Sequence, residues 1–280
     1  MKTMIINNHP LGVCSWSLHP RDTADLVAQV KQAGLAHVQL GLAGLSTLDD
    51  KNKLHELDHL RAANISITGG MVGFQGEDYS TIANIRRTGG FVPDADWPAR
   101  KSITEQSAAL ARDLGLPHIS AHVGFVPPRG QDNYNTVRDR IREIADMFAT
   151  HNLTLLMETG QEKAEELLEF LHDLQRDNVF INFDPANMIL YGAGEPIAAI
   201  RTLGKFIRHV HVKDATPSAR PGEEWGAEVP FGTGQVGAAR FLQALKGTGY
   251  TGPLCIEREA GTQRLIDVQA AVEALRTAAK

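Results

Sequence analysis

Four residues lying far apart in the 280-residue chain could do chemistry together: Glu158, Asp184, His211 and Glu257. Each is carried by a short apolar run: LTLLMETG, VFINFDPAN, IRHVHVKD and GPLCIEREAG. Asp184 follows Glu158 by 26 residues and His211 follows Asp184 by 27, each about the length of one strand–helix unit. Runs rich in Leu, Val, Ile and Phe are what a parallel strand covered on both faces requires. At the carboxyl ends of such strands, two Glu, one Asp and one His form an oxygen-rich set suited to one divalent cation. Charged groups at a barrel rim are costly unless paired or bound to a cation. The alternative is a set of ordinary salt bridges, for which only Lys213 and Arg258 stand near.

Positioning these groups needs a regular alternation of elements, and the chain supplies one. Strands are expected at 11–18, 36–44, 65–72 and 117–124, then in the four runs above. Between them fall amphipathic helices. One is capped near Asp22 or Thr23 and stops at Gly34, one carries Leu54, Leu57 and Leu60, and one lies near 101–114. Val137, Ile141, Ile144 and Phe148 form a core stripe, as do Leu167, Leu171 and Leu174, while Leu245 and Leu275 mark the last two helices. Residues 73–99 and 215–235 show little periodicity and read as functional loops. Eight strands and eight helices in strict alternation, with right-handed crossovers, predict an α/β fold: a closed (β/α)8 barrel, one domain over 1–280. An open dinucleotide-binding sheet is disfavoured, because SWSLHP after the first strand cannot form the glycine-rich turn and no phosphate-loop motif occurs.

Composition narrows the function. A net charge of −5 argues against nonspecific binding to nucleic acid or a membrane surface. No run of about 18 apolar residues is present to span a bilayer, and MKTMIINNHPLG lacks a secretory apolar core. Cys14 and Cys255 offer no disulfide framework, so reduced thiols and a cytoplasmic location are expected, even though the first and last strands of a barrel are neighbours. Alternation along strands puts Cys255 and Glu259 on the side of Glu257, Asn182 on that of Asp184, and His209 and Lys213 on that of His211.

METG, NFDPAN, HVHVKD and CIEREAG together resemble the xylose isomerase-like superfamily of sugar isomerases and epimerases, a (β/α)8 barrel group that includes endonuclease IV-type enzymes, over nearly the whole chain. That resemblance implies that Glu158, Asp184, His211 and Glu257 hold a divalent metal, manganese foremost with Mg, Co or Zn as alternatives. It also implies that Glu158 and Glu257 are the acid/base groups. Epimerases of the family often have His three residues after the Asp; here that position is Asn187.

A metal chelated by a hydroxyketone polarises the carbonyl and stabilises an enediolate. Two carboxylates on opposite faces of the carbon then give epimerisation, whereas one base moving the proton between carbons gives aldose–ketose isomerisation. Further substrate-binding candidates are His122 at the end of the fourth strand, Trp16 as a flat face for a sugar ring, Asn187, and Lys213, which could instead pair with a carboxylate. Trp225 is a candidate lid residue, His209 a support for His211 that Asp214 could orient, and Arg258 an outward structural residue. Gly261 and Thr262 could receive a phosphate at the start of the last helix. The reading is a metal-dependent isomerase or epimerase of a small carbohydrate, with homo-oligomerisation possible. The alternatives are a lyase or dehydratase on a related keto-sugar or inosose, an endonuclease IV-like phosphodiesterase, and a noncatalytic sugar-binding barrel, which both retained Glu residues disfavour.

Overall fold

A computed structural model describes residues 4–42, 45 and 57–280. Its centre is a ring of parallel strands: β1 (His9–Cys14), β2 (His37–Gly41), β3 (Ser66–Val72), β4 (His118–Ala121), β5 (Thr154–Glu158), β6 (Val179–Phe183), β7 (Ile207–Val212) and β8 (Leu254–Ile256). Each strand pairs with the next in chain order. β8 closes the ring onto β1 through Leu254↔Leu11 and Ile256↔Val13. The predicted (β/α)8 barrel is therefore what the chain forms.

Helices α1 (Thr23–Gln32), α2 (Ile82–Thr88), α3 (Trp97–Asp113), α4 (Tyr134–Thr150), α5 (Ala164–Leu174), α6 (Pro185–Tyr191), α7 (Pro196–Leu203), α8 (Ala238–Thr248) and α9 (Arg264–Ala278) connect the strands. Asp22 caps α1 by accepting the Asp25 amide at 2.7 Å. Val137, Ile141, Ile144 and Phe148 of α4 are fully buried against the strands, and each such side chain contributes about 1.5–3 kcal/mol by leaving water. Leu57 and Leu60 are buried as expected, while Leu54 lies outside the described residues. Among the described residues no helix is long and apolar enough to cross a membrane.

Three expectations are corrected. The first strand ends at Cys14 rather than continuing to 18, and Ser15–Leu18 form a 3-10 turn. Ser15 Oγ accepts the Gly41 amide and Ser17 Oγ the Arg258 amide, both at 2.9 Å, so these hydroxyls pin the turn to β2 and to the segment after β8. Residues 73–99 are not simply a loop: α2 lies within them, capped by Thr81, with Ile82 and Ile85 packed against Tyr191 and Ala193. Strict alternation also fails, because α6 is an extra helix between β6 and α7, and Asp214–Thr216 pairs antiparallel with Ala227–Val229 inside the 215–235 segment.

The interior of the ring is unusually polar. Gln39, Ser120, Asn182, His209 and His211 are all fully buried there, where barrels generally stack branched apolar side chains. Buried polar groups of this kind need partners, and they find them in one another beneath the upper rim.

Candidate metal centre and active site

β5, β6, β7 and β8 deliver Glu158, Asp184, His211 and Glu257 to one point, where a ligand atom from each lies within 4.8 Å of all the others. His211 Nδ1 is the hub. It stands 3.0 Å from Glu158 Oε1, 3.3 Å from Glu257 Oε2 and 3.6 Å from Asp184 Oδ2. Asp184 ends β6 and caps α6, its Oδ1 accepting the amides of Ala186 and Asn187 at 2.8 and 2.9 Å, with Pro185 at the first turn. Capping occupies Oδ1 and leaves Oδ2 buried without a hydrogen-bond partner. Glu158 Oε2 is orphaned in the same way. His122 Nε2 lies 3.1 Å from it, a charge contact without hydrogen-bond geometry. Two orphaned carboxylate oxygens beside an imidazole nitrogen, all buried, fit a divalent cation.

The backbone under the ligands is fixed by Thr159, whose hydroxyl donates to the Asp184 carbonyl at 3.0 Å and accepts the Asp184 amide at 2.8 Å. Gly160 lets β5 and α6 approach: a Cβ there would stand 2.6 Å from the Asn187 Cβ. Asn187 Nδ2 in turn donates to Glu158 Oε1 at 3.2 Å.

Lys213 is locked between carboxylates. Its ammonium donates to Glu257 Oε2 at 2.9 Å, to Glu259 Oε2 at 2.6 Å and to Asn187 Oδ1 at 3.3 Å, and lies 3.8 Å from Asp184 Oδ2. Trp16 Nε1 donates to the other oxygen of Glu257 at 2.7 Å. Burial alone would raise the Glu257 carboxyl, but Lys213 and His211 outweigh it and hold the group down to about 2. The same carboxylates lift Lys213 well above its ordinary value against the effect of burial. Burial also opposes charge on His122, yet Glu158 and Glu77 raise its imidazole.

Beneath these four side chains, Gln39 of β2 anchors His211. Its Oε1 is 2.6 Å from His211 Nε2, and its Nε2 donates to Ser120 Oγ at 3.1 Å. A hydrogen on His211 Nε2 leaves the Nδ1 lone pair facing the three carboxylates. Replacement of Gln39 by Leu is expected to weaken Mn²⁺ binding by about 10–100-fold, measured by isothermal titration of the metal-free protein. An unchanged affinity would show that His211 needs no such anchor.

The site opens into a cavity of about 970 Å³, lined among others by Trp16, His122, Glu158, Asn187, Lys213 and Glu257. The sequence model of the family described as "Xylose isomerase-like TIM barrel" matches residues 27–278. The chain belongs to the xylose isomerase-like TIM barrel family. A xylose isomerase domain protein from Planctomyces limnophilus has a crystal structure similar to this chain, with TM-score 0.84 and 36% identity over 90% of each chain. A crystal structure of D-psicose 3-epimerase with D-tagatose from Clostridium cellulolyticum H10 superposes with TM-score 0.72 at 16% identity, covering 96% of this chain and 99% of that one. Among curated proteins, L-ribulose-5-phosphate 3-epimerase UlaE of Escherichia coli (strain SMS-3-5 / SECEC) is 22% identical over 91% of this chain and 88% of its own length.

Within this xylose isomerase-like barrel, several sequence expectations take a different form. Asp214 does not orient His209. Its carboxylate accepts the amides of Ala215, Gly232, Gly234 and Val236 at 2.9–3.0 Å and so folds the 230–236 segment back on β7. His209 meets His211 ring edge to ring face, with centroids 5.8 Å apart, and through Asn182, whose Oδ1 accepts from His209 Nδ1 at 2.9 Å and whose Nδ2 lies 3.0 Å from His211 Nε2. Arg258 is structural but buried, paired with Glu228 at 2.7 Å and Asp267 at 2.8 Å. Trp225 lines the cavity. The last helix starts at Arg264, after Gly261 and Thr262, with Gln263 at its N-cap and no side-chain cap bond. Cys14 and Cys255 are free buried thiols.

Sequence reading placed Asn182 on the face of Asp184 without giving it a contact, and missed Gln39 and Thr159. The available signal was a polar residue in the middle of an otherwise apolar strand, as in HVQLG and VFINF. It also missed Glu162, a buried carboxyl whose Oε1 accepts the Val126 amide at 2.8 Å. Burial pushes this group from 4.5 up to about 7, against the Val126 hydrogen bond. Because the folded state binds the proton more tightly, this contribution is complete below pH 4.5 and disappears as pH rises through about 7. The shift corresponds to about 3 kcal/mol. Glu162→Gln should therefore flatten the fall in unfolding free energy between these pH values, as measured by urea denaturation. An unaltered slope would place the titrating group elsewhere.

Proposed function

We propose that this protein is a divalent-metal-dependent isomerase or epimerase of a small carbohydrate, with manganese as its ion and Glu158 and Glu257 as its acid/base pair. The observation that carries this reading is the convergence of four ligand atoms within 4.8 Å, two of the carboxylate oxygens buried and orphaned. Glu158 and Glu257 also line the cavity. The similarity to D-psicose 3-epimerase and L-ribulose-5-phosphate 3-epimerase supports a sugar substrate.

Glu158, Asp184, His211 and Glu257 would hold the cation, which would supply Lewis-acid polarisation of a sugar carbonyl and so acidify the neighbouring C–H. Glu257, kept ionised by Lys213 and oriented by Trp16, takes that proton on a carboxylate oxygen. Glu158 approaches His211 Nδ1 from β5, separated in the ring from Glu257 on β8 by two strands. Its Oε2 faces His122 Nε2 at 3.1 Å, and Glu158 is the group that returns a proton. Proton removal and return at one carbon invert that centre, and return at the adjacent carbon moves the carbonyl. Trp16, His122, Asn187 and Lys213 contact and orient the sugar.

The test combines metal analysis of the purified chain with incubation of a ketose panel in deuterated water, followed by NMR. The expected result is about one manganese per chain, with solvent deuterium on the carbon beside the carbonyl and loss of exchange in EDTA. Protein loaded in turn with Mn²⁺, Mg²⁺, Co²⁺ and Zn²⁺ that exchanges no carbon-bound hydrogen on any ketose would overturn the reading. Release of water with formation of a double bond would assign elimination in its place.

A further inference from the structure

Above the metal centre the cavity changes character. Two segments meet there: Trp225 Nε1, from the 215–235 segment, donates to the carbonyl of Tyr79, from the segment after β3, at 3.1 Å. The Trp225 ring packs edge-on against Tyr191 with centroids 4.6 Å apart, and the Tyr79 ring lies 6.5 Å from His122, which itself touches Glu158. An aromatic wall thus begins one side chain away from the acid/base pair and extends outward, with Phe74 and Leu190 continuing it. The volume of about 970 Å³ is at the upper end of the roughly 300–1,000 Å³ that drug-sized ligands occupy, well beyond what one sugar ring fills.

The charges point the same way. Among the described lining residues the guanidinium and ammonium groups are those of Arg21 and Lys213. Lys213 is consumed by Glu257 and Glu259, and Arg21 is paired with Asp25 at 3.1 Å. Glu77 and Glu259 add negative charge to the same walls. A phosphate dianion needs a cluster of free cations or amides, and here it would meet mostly carboxylates.

We infer that the substrate of this site is a ketone-bearing sugar with an apolar or aromatic substituent, a keto-glycoside rather than a sugar phosphate, with the ring at the metal centre and the substituent against Trp225, Tyr191 and Tyr79. The inference rests on the sugar reading above and names its substrate class. In this it departs from the relative whose name specifies a 5-phosphate.

The experiment titrates the full Mn²⁺-loaded chain with the methyl and phenyl D-glucopyranosides of both anomers, D-fructose and D-fructose 6-phosphate. The readouts are calorimetry and quenching of tryptophan fluorescence. For one anomer, the phenyl glycoside should bind at least about tenfold tighter than the methyl glycoside, and the 6-phosphate should gain nothing over fructose. Trp225→Ala should bring the two glycosides to the same affinity, and Trp225→Phe should keep most of the difference. Equal affinities in the unsubstituted chain, no binding of either glycoside, or a tenfold advantage for the 6-phosphate would each overturn the inference. Solvent-deuterium exchange on the ketose panel is scored separately. Exchange without a phenyl advantage sinks the substrate class and leaves the reaction standing, whereas a phenyl advantage without exchange supports the aromatic subsite and sinks the reaction.

Discussion

Glu158→Gln and Glu257→Gln should each lower turnover by about 10³-fold or more, while the barrel remains folded. Two losses combine in each variant. The amide can neither take nor return a proton, a contribution of about 10²–10⁴-fold, and the cation loses one of its anionic ligands. The fold persists because the amide has nearly the same shape. Its oxygen can still accept from Trp16 or Asn187, which now bond Glu257 Oε1 and Glu158 Oε1. In the metal-free protein each change also removes a negative charge from a cluster in which three carboxylates surround one imidazole. Turnover measured at saturating Mn²⁺, with bound metal determined on the same samples, separates failed proton transfer from lost metal. Near-normal rates in both metal-loaded variants would show that neither Glu moves the proton. A difference between them would be informative as well. Glu257 is held ionised by Lys213 and His211, whereas the orphaned oxygen of Glu158 faces His122, so the two have different surroundings for their protons.

The convergence of Glu158, Asp184, His211 and Glu257 was legible in the sequence because each stands at the end of an apolar run, and strand spacing sends such residues to one rim. Lys213 was legible by alternation from His211, and its pairing with carboxylates follows from the cost of burying a lone ammonium. The supports were not legible. Gln39 meets His211 across a separation of 172 residues, and Ser120 meets Gln39 across 81, contacts set by ring closure rather than by any local pattern. The end of the first strand was misplaced for the same reason: the hydroxyls of Ser15 and Ser17 find amides on distant segments. Helices α2 and α6 have seven residues each, under two turns, too few for a 3.6-residue period to emerge. The proximity of Asp214 to His209 in HVHVKD suggested that it orients that imidazole. The Asp214 side chain instead satisfies three backbone amides of a segment that follows 18–22 residues later.

Lys213→Met should be the most destabilising of the substitutions considered, by about 3–5 kcal/mol in the metal-free protein. The Lys213 side chain is 2% exposed, and it is the ammonium that faces Glu257, Glu259 and Asp184. Methionine fills most of the volume but leaves Glu257 and Asp184 buried without that cation, and breaking a buried pair costs more than replacing both members. Glu259 is half-exposed and can turn to water, so the penalty concentrates on Glu257. The pH dependence gives a second signature. Glu257 is depressed in the folded state from 4.5 to about 2, so its contribution is present above pH 4.5 and is lost as pH falls through about 2. Without Lys213 that depression shrinks, and the variant should lose proportionally less stability on acidification than the unsubstituted chain. Addition of Mn²⁺ should recover more unfolding free energy in the variant, because the cation then supplies the positive charge that Lys213 no longer does. Urea denaturation at pH 7 with and without Mn²⁺, and of the metal-free protein between pH 4.5 and pH 2, reads all three effects. A variant as stable as the unsubstituted chain under metal-free conditions at pH 7 would mean that water, rather than Lys213, compensates the charge of Glu257.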